Sequence, residues 1–335
     1  MSSIATHRRV RAAFTALVFA LTLTACGGGG GAAGTNPATT TTYSSVAMAG
    51  ELIDYSIDTT NLAYTYTITE SQFGLTGKTG SGTLTRNADG SYTPSGVPNA
   101  RVVVLPNGML IGAVREQFGA SVITVPIIGL SNPVSSASAL AATYNYVTRG
   151  CLGIVCASAH GTFAVGADST WTSCPNNNLI GGSCPVTPNS GTLTSLGNGR
   201  WRVMHNGTDI GTAIGFSSAG QNVLIVDLKD RRAGGFGIGA IVGAQQTTMT
   251  TAQTDGTWIA GSTAGHWAVF TATGTSIAFN SIDGVPSSAT TSFSPNVPWT
   301  GLATTPAGGV AILAGAGVYV LETAGGQAEI GVKIH

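Results

Sequence analysis

Short runs in which polar and apolar residues alternate, separated by turn residues, make up most of the sequence from residue 46 onward. The clearest run is 62–69, where the threonines fall on one face of an extended chain and the apolar residues on the other. That apolar face consists of Leu62, Tyr64, Tyr66 and Ile68. A period of two is typical of a strand with one buried face, whereas an amphipathic helix repeats about every 3.6 residues. The alternation therefore predicts an all-β body of antiparallel strands.

An Asn-Gly pair, Asn107-Gly108, separates two apolar runs and predicts a tight hairpin. Two-residue Asn-Gly loops favour a type I′ turn, because both residues tolerate the positive φ that this turn requires. Counting outward from a two-residue loop places Leu105 opposite Leu110. Both faces of this hairpin would then close with apolar partners.

A second Asn-Gly pair, Asn206-Gly207, predicts another type I′ hairpin. Its register places Val203 opposite Ile210. On the other face of the hairpin, the side chain of Arg202 comes diagonally near Asp209, and we expect these two residues to form a solvent-exposed ion pair.

One hairpin unit recurs in the chain as a glycine followed ten residues later by an aromatic residue. It occurs at Gly82–Tyr92, Gly161–Trp171 and Gly191–Trp201, and one residue longer at Gly256–Trp267. Further strands are predicted at 121–128, 222–228, 236–242, 267–271, 309–313 and 318–322. The intervals between the copies are uneven, whereas propellers and solenoids need a fixed period. The sequence therefore predicts an antiparallel β-barrel or β-sandwich built from hairpins, in one lobe or in two.

The first twenty-five residues have the pattern of a signal peptide. Arg8, Arg9 and Arg11 precede an apolar run at 12–23, which is too short to span a bilayer as a helix. The run ends in Leu23-Thr24-Ala25-Cys26, which resembles the lipobox of bacterial lipoproteins. The resemblance implies cleavage before Cys26, attachment of palmitate and other acyl chains to Cys26, and anchoring of the mature chain in the lipid bilayer.

A glycine- and threonine-rich stretch follows the cysteine and includes five consecutive glycines at 27–31. These residues have little side chain with which to pack, so we expect 26–45 to be a flexible tether. Gly27 after the cysteine resembles the outer-membrane pattern of enteric lipoproteins, which implies an outer-membrane lipoprotein whose orientation stays open. Some lipid-anchored outer-membrane proteins with ligand-binding β-barrels have a similar glycine-rich tether. The resemblance ends with the tether, so it implies no function for the rest of the chain.

The four remaining cysteines are Cys151, Cys156, Cys174 and Cys184. An even number of cysteines behind an export signal predicts two disulfides, which have three possible connectivities. Short loops close at the least cost in chain entropy, which favours Cys151–Cys156 and Cys174–Cys184. The spacings fit structural zinc sites poorly.

The expected division of the chain follows from these features. It is a signal peptide at 1–25, a lipidated tether at 26–45, an N-terminal β region at 46–149, a disulfide-bearing irregular region at 150–190 and a C-terminal β region at 191–335.

Charge and motif searches exclude several kinds of site. The formal net charge is zero, with 14 basic and 14 acidic residues, so the chain lacks the basic footprint of a nucleic-acid binder. No G-x-S-x-G motif is present, and the glycines at 235–243 have the wrong spacing for a dinucleotide site. We predict no metal or cofactor, because the histidines of the mature chain are far apart in sequence; they are His160, His205, His266 and His335. The dense charges at 227–232 are interpreted as a solvated turn.

These observations favour a non-catalytic binding or interaction module at the outer membrane, with a protein or glycan as its ligand. A binding face could use Tyr64, Tyr66, Trp171, Trp258 and Trp299, although core packing is the better interpretation of each one alone. One alternative is an envelope hydrolase that uses two carboxylates, for which no catalytic residues can be named. A further alternative is an assembly lipoprotein that pairs a sheet edge with another β protein.

Overall fold

The structure is a computed structural model, and it describes residues 40–97, 100–118, 121–152, 155–179, 183–218, 220–230, 237–282, 288–323 and 326–335. The predicted signal peptide and Cys26 lie outside the described residues. Strands in three antiparallel sheets dominate the described chain, beside a short 3-10 helix at Ala137–Leu140 and a one-turn helix at Thr251–Thr254. The all-β prediction is confirmed.

The first sheet contains eight strands in the order β5-β4-β3-β2-β1-β8-β7-β6. They are β1 (Thr40–Ala47), β2 (Glu51–Asp58), β3 (Ala63–Ser71), β4 (Thr79–Arg86), β5 (Tyr92–Pro94), β6 (Val103–Val104), β7 (Met109–Phe118) and β8 (Ser121–Leu130). The two outermost strands meet through a β-bridge between Tyr92 and Val102, whose backbones exchange hydrogen bonds of 2.8 and 2.7 Å. The sheet therefore curls into a barrel, which we call the first barrel.

The second sheet is a closed barrel of eight strands, the second barrel. Its strands are β9 (Ala142–Leu152), β10 (Val155–Val165), β11 (Thr170–Pro175), β12 (Asn189–Gly197), β13 (Arg200–His205), β14 (Thr208–Ser218), β15 (Gln221–Asp230) and β16 (Gly237–Gln245). Each strand pairs with the next along the chain, and β16 pairs with β9 to close the circle. This is an up-and-down barrel.

The third sheet has nine strands and forms the third barrel. Its strands are β17 (Gly256–Ser262), β18 (Trp267–Thr273), β19 (Ser276–Ser281), β20 (Ser288–Ser292), β21 (Ser294–Pro295), β22 (Ala303–Thr304), β23 (Val310–Leu313), β24 (Val318–Glu322) and β25 (Ala328–Lys333). The outermost strands β20 and β21 follow each other in the chain, with Phe293 alone between them. The last strand, β25, pairs with the first, β17.

All three barrels share one topology, in which the first strand of each pairs with the last. The expectation of one or two lobes is therefore corrected to three consecutive barrels. Residues 150–190, expected to be irregular, contain β10 and β11 inside the second barrel. Strand β1 begins at Thr40, so residues 40–45, which the sequence assigns to the tether, pair with β2.

Strands at the contacts between barrels are buried on both faces. On β15, Leu224, Val226 and Leu228 belong to the interior cluster of the second barrel. The alternate residues Val223 and Ile225 point outward and are also buried, because they belong to a core shared with the other barrels. Strands with two buried faces read as continuous apolar runs, and this explains why the stretch 223–226 shows no alternation.

The core shared by the barrels combines outward-facing residues of the second and third barrels with residues of the first. Val242 of the second barrel and Val320 and Ile330 of the third lie in the same buried cluster as Val46 and Ile128 of the first. Because this apolar surface is buried between the barrels, the described residues form one compact unit and not three separate domains.

The hairpin at Asn206-Gly207 is confirmed. Both turn residues have positive φ, 47° and 73°, as a type I′ turn requires. Arg202 and Asp209 form the expected ion pair, with 3.4 Å between Nε and Oδ2. The pairing of Val203 with Ile210 is wrong, because a bulge after Val203 shifts its partner to Gly211.

The register predicted at Asn107-Gly108 is wrong by one residue. Val104, not Leu105, pairs with Leu110. The loop contains three residues, because Pro106 has no N–H with which to pair and sits instead at the second position of a turn closed by Gly108 N and Leu105 O at 3.0 Å.

The four cysteines of the body form two disulfides, as predicted. Cys151 and Cys156 are cross-strand neighbours on β9 and β10, with Cα atoms 4.0 Å apart. Cys174 at the end of β11 joins Cys184, and this bond closes the loop before β12.

Candidate functional site

The interiors of the second and third barrels differ in how completely side chains fill them. The second barrel encloses a cavity of about 100 Å³, whose wall is apolar apart from residues such as Thr148 and Ser173. The cavity of the third barrel is larger, about 300 Å³. Binding sites for small molecules are concave and mostly apolar with a few placed polar groups, so the larger cavity is the candidate site.

The third barrel is filled at one end and hollow at the other because of the residues on its inward face. Trp258, Phe270 and Tyr319 pack together at the filled end, with ring centroids of Phe270 and Tyr319 4.8 Å apart. Toward the hollow end, the inward positions of β22 and β23 are Ala303 and Ala311, which leave space. A barrel of about eight strands is wide enough to hold one small ligand when its inward side chains are small.

The wall of the cavity combines aromatic, aliphatic and threonine side chains. Its main apolar members are Ile277, Phe279, Phe293 and Leu321. Ile277 and Phe293 are buried, whereas Phe279 and Leu321 are partly exposed. Ala307, in the exposed turn between β22 and β23, also lines the cavity, so this turn marks its mouth.

Glu329 is the one charged side chain among the described residues that line this cavity. Its position on the inward face follows from the register, in which it pairs with Leu321 on β24 and Ser262 on β17. The hydroxyl of Tyr319 donates a hydrogen bond to Glu329 Oε2 at 3.2 Å. Burial raises the pKa of Glu329, and the Tyr319 hydrogen bond and nearby His266 oppose that shift.

This arrangement suits binding better than carboxylate catalysis. A glycosidase needs two carboxyl groups on opposite sides of its substrate, and Glu329 is the one carboxylate among the described residues of this wall. An apolar cavity with a single ionisable group can instead hold the apolar part of a ligand and orient it through one polar contact.

The sequence analysis missed Glu329, although a signal for it exists. In the stretch Ala328-Glu329-Ile330-Gly331-Val332, a carboxylate interrupts a strand that is otherwise small and apolar on both faces. From the sequence alone, such a carboxylate could face either solvent or the interior of a barrel. The register of β25 shows that Glu329 points inward.

The charges at 227–232 do not form a solvated turn in their described part. Asp227 is buried, and Lys229 Nζ lies 3.1 Å from Glu70 Oε2 of the first barrel and 2.9 Å from Asp209 Oδ2. The prediction failed because this end of β15 packs against the first barrel. Residues 231 and 232 lie outside the described residues.

The histidines that the sequence analysis considered as metal ligands lie on separate elements of the fold. Nδ1 of His160 lies 2.8 Å from Glu322 Oε2 at the contact between the second and third barrels, and His205 lies beside Trp171. The backbone carbonyl of His335 accepts a hydrogen bond from Thr257 N. Among the described residues, no three histidine, cysteine, aspartate or glutamate side chains are placed to hold a metal ion.

Most of the aromatic residues considered for a binding face are core residues. Tyr64, Trp171 and Trp258 are buried, and Tyr66 and Trp299 are partly buried. The indole nitrogen of Trp299 donates to Asn145 Oδ1 at 2.8 Å, which joins the third barrel to the second. The interpretation of core packing therefore holds for the three buried residues.

Within the described ranges, no helix has the length and apolar character needed to cross a bilayer. No protein-family model matches the sequence, and the curated proteins contain no significant match to it.

Proposed function

We propose that this chain is a lipid-anchored, non-catalytic binding protein of the bacterial cell envelope, and that its third barrel takes up a small ligand. The leader that ends in Cys26 supports the anchor, and the two disulfides are typical of an oxidising compartment. The cavity of the third barrel carries the binding part of the proposal.

The decisive observation is the contrast between the two ends of the third barrel. A barrel that served only as a scaffold would gain stability from large side chains along its whole interior, since cavities are destabilising. Here large aromatic side chains fill one end, while a space of about 300 Å³ with a carboxylate in its wall remains at the other. A ligand would bury the apolar wall of that space.

A fragment screen tests the binding site. Small aromatic and aliphatic fragments are screened against the full chain in phospholipid nanodiscs by saturation-transfer NMR. The Leu321→Trp variant places an indole in the cavity wall, whereas Leu196→Trp makes the same change at an exposed position of the second barrel. We expect a set of fragments to bind the wild type and Leu196→Trp and to be lost from Leu321→Trp. Fragments that bind all three proteins equally, or none at all, would contradict the proposal.

Metabolic labelling tests the anchor independently. We expect an alkyne analogue of palmitate to label the wild-type chain and to leave Cys26→Ser unlabelled. Thr24→Ser, a mild change two residues away in the same motif, serves as the control and should remain labelled. Equal labelling of the wild type and Cys26→Ser would overturn the assignment.

A further inference from the structure

The chemistry of the cavity wall in the third barrel points to one class of ligand. We propose that the cavity binds an organic cation, an ammonium group on an apolar body, with the ammonium held by Glu329. This inference rests on the proposed function and names the ligand class of the same site.

The first argument concerns charge. Glu329 faces a space whose other described lining residues carry no charge, so no lysine or arginine of the wall neutralises it. Its hydrogen-bond partner Tyr319 is a neutral phenol, and nearby His266 stands in the turn between β17 and β18, outside the wall. A carboxylate partly removed from water is costly without a counter-charge, and a ligand cation would supply one.

The second argument concerns the aromatic side chains. Phe279, Phe293 and Tyr319 line the same space as the carboxylate. Aromatic faces attract cations within about 6 Å of the ring centroid, and they attract ammonium groups most strongly where water is excluded. They would repel an anionic ligand, as would Glu329 itself. The wall therefore selects by charge as well as by shape.

The third argument concerns space. Tyr319 and Phe293 are buried and form an aromatic floor of the cavity, while partly exposed Glu329 stands nearer the mouth. A ligand would place its apolar body on that floor and its ammonium group beside the carboxylate. Its size is limited to that of a small molecule by the volume of about 300 Å³.

The test compares three water-soluble probes that differ mainly in charge. These are 2-phenylethylammonium, 2-phenylethanol and 3-phenylpropionate, titrated by calorimetry at about pH 7.5 into the full chain in phospholipid nanodiscs, with empty nanodiscs as background. We expect the cation to bind at least about tenfold more tightly than the alcohol, because hydrogen bonds to charged groups are stronger than neutral ones. We expect the anion to bind weakest.

Matched variants locate the effect. Glu329→Gln should weaken binding of the cation about tenfold and change binding of the alcohol by less than about threefold. Glu322→Gln removes the same charge from the neighbouring strand, where the side chain faces His160 outside the cavity, and should leave all three affinities unchanged. An unfolding curve for each variant checks that the fold is intact.

Two results would overturn the inference. If the alcohol or the anion binds as tightly as the cation, or if Glu322→Gln weakens the cation as much as Glu329→Gln, the carboxylate does not select the ligand. Tight binding of the alcohol that Leu321→Trp abolishes would remove the cation assignment and keep the proposed function. Absence of binding by every probe would remove the cation assignment as well, and the fragment screen then decides the proposed function separately.

Discussion

Lys229 of the second barrel places its Nζ 3.1 Å from Glu70 Oε2 of the first barrel, and this ion pair lies beside a buried carboxyl group. The carboxyl belongs to Asp227, whose Oδ1 has no hydrogen-bond partner among the described residues. Burial first, and then the nearby charge of Glu70, raises the pKa of Asp227 well above its ordinary value. The contact between the two barrels therefore favours a protonated Asp227.

Asp227→Asn should stabilise the protein as pH rises. A folded-state pKa above the unfolded value contributes stability that is present below the unfolded pKa and is lost as pH rises through the folded pKa. Asparagine does not titrate, so the free energies of unfolding should converge below about pH 4 and diverge above it, by at least about 1 kcal/mol at pH 8. Urea unfolding at a series of pH values measures this difference.

Asp168→Asn serves as the control of opposite sign. Hydrogen bonds from the side chain and backbone of Thr170 lower the pKa of Asp168, so its contribution is present above the unfolded pKa and is lost in acid. The variant should therefore lose stability relative to the wild type at neutral pH and match it in acid. Stabilisation by both substitutions at neutral pH would show that burial of Asp227 is not the cause.

Glu329→Gln should raise the stability of the ligand-free chain at neutral pH. Burial raises the pKa of Glu329, so its contribution to folding is likewise lost as pH rises through the raised value. The unfolding midpoint of the variant should exceed that of the wild type increasingly from pH 5 to pH 8. A constant difference across this range would mean that a lost contact, and not ionisation, separates the two proteins.

By loop length alone, the two disulfides should add similar amounts to the free energy of unfolding. They differ in whether strand pairing already holds the two cysteines together. Removal of Cys174–Cys184 by a double alanine substitution should cost about 2–3 kcal/mol, because Cys184 lies outside the strands of the barrel. Removal of Cys151–Cys156 should cost less, since β9 and β10 already pair along their length. Urea unfolding of both double variants gives the order, and an equal loss would contradict the argument.

A glycine of the recurring hairpin unit should resist substitution. A Cβ on Gly191 would overlap the carbonyl oxygen of Met204, which accepts a hydrogen bond from Trp171 Nε1 at 3.1 Å. Gly191→Ala should therefore cost more than about 2 kcal/mol, because neighbouring backbone must move. Gly197→Ala, at φ 83° with open space around it, should cost about 1 kcal/mol. Thermal unfolding of the two variants shows whether steric overlap at Gly191 costs more stability than backbone strain at Gly197.

Local features of the fold could be predicted from the sequence because neighbouring residues determine them. The strand at 63–71, the Asn206-Gly207 turn and the hairpins of the recurring unit depend on alternation and turn chemistry within about ten residues. The register at Pro106 failed at the same local level, since a missing N–H outweighed the Asn-Gly signal.

The division into three barrels and the cavity could not be predicted in the same way. The pairing of β1 with β8, and of β17 with β25, joins strands far apart in the chain. Whether Glu329 faces inward depends on that closure, because a one-residue change of register would turn it outward. The prediction that Asp227 is solvated failed for the same reason, because its burial depends on contact with the first barrel, which is distant in sequence.

The closure of the second barrel and the short outermost strands of the first barrel limit how another protein could recognise them. Strand addition needs a long row of free backbone donors and acceptors. The second barrel closes completely, and in the first barrel the outermost strands Tyr92–Pro94 and Val103–Val104 are short and meet at a bridge. The first and second barrels therefore offer little free edge for strand addition, and a protein partner would meet side chains on their loops and outer faces instead.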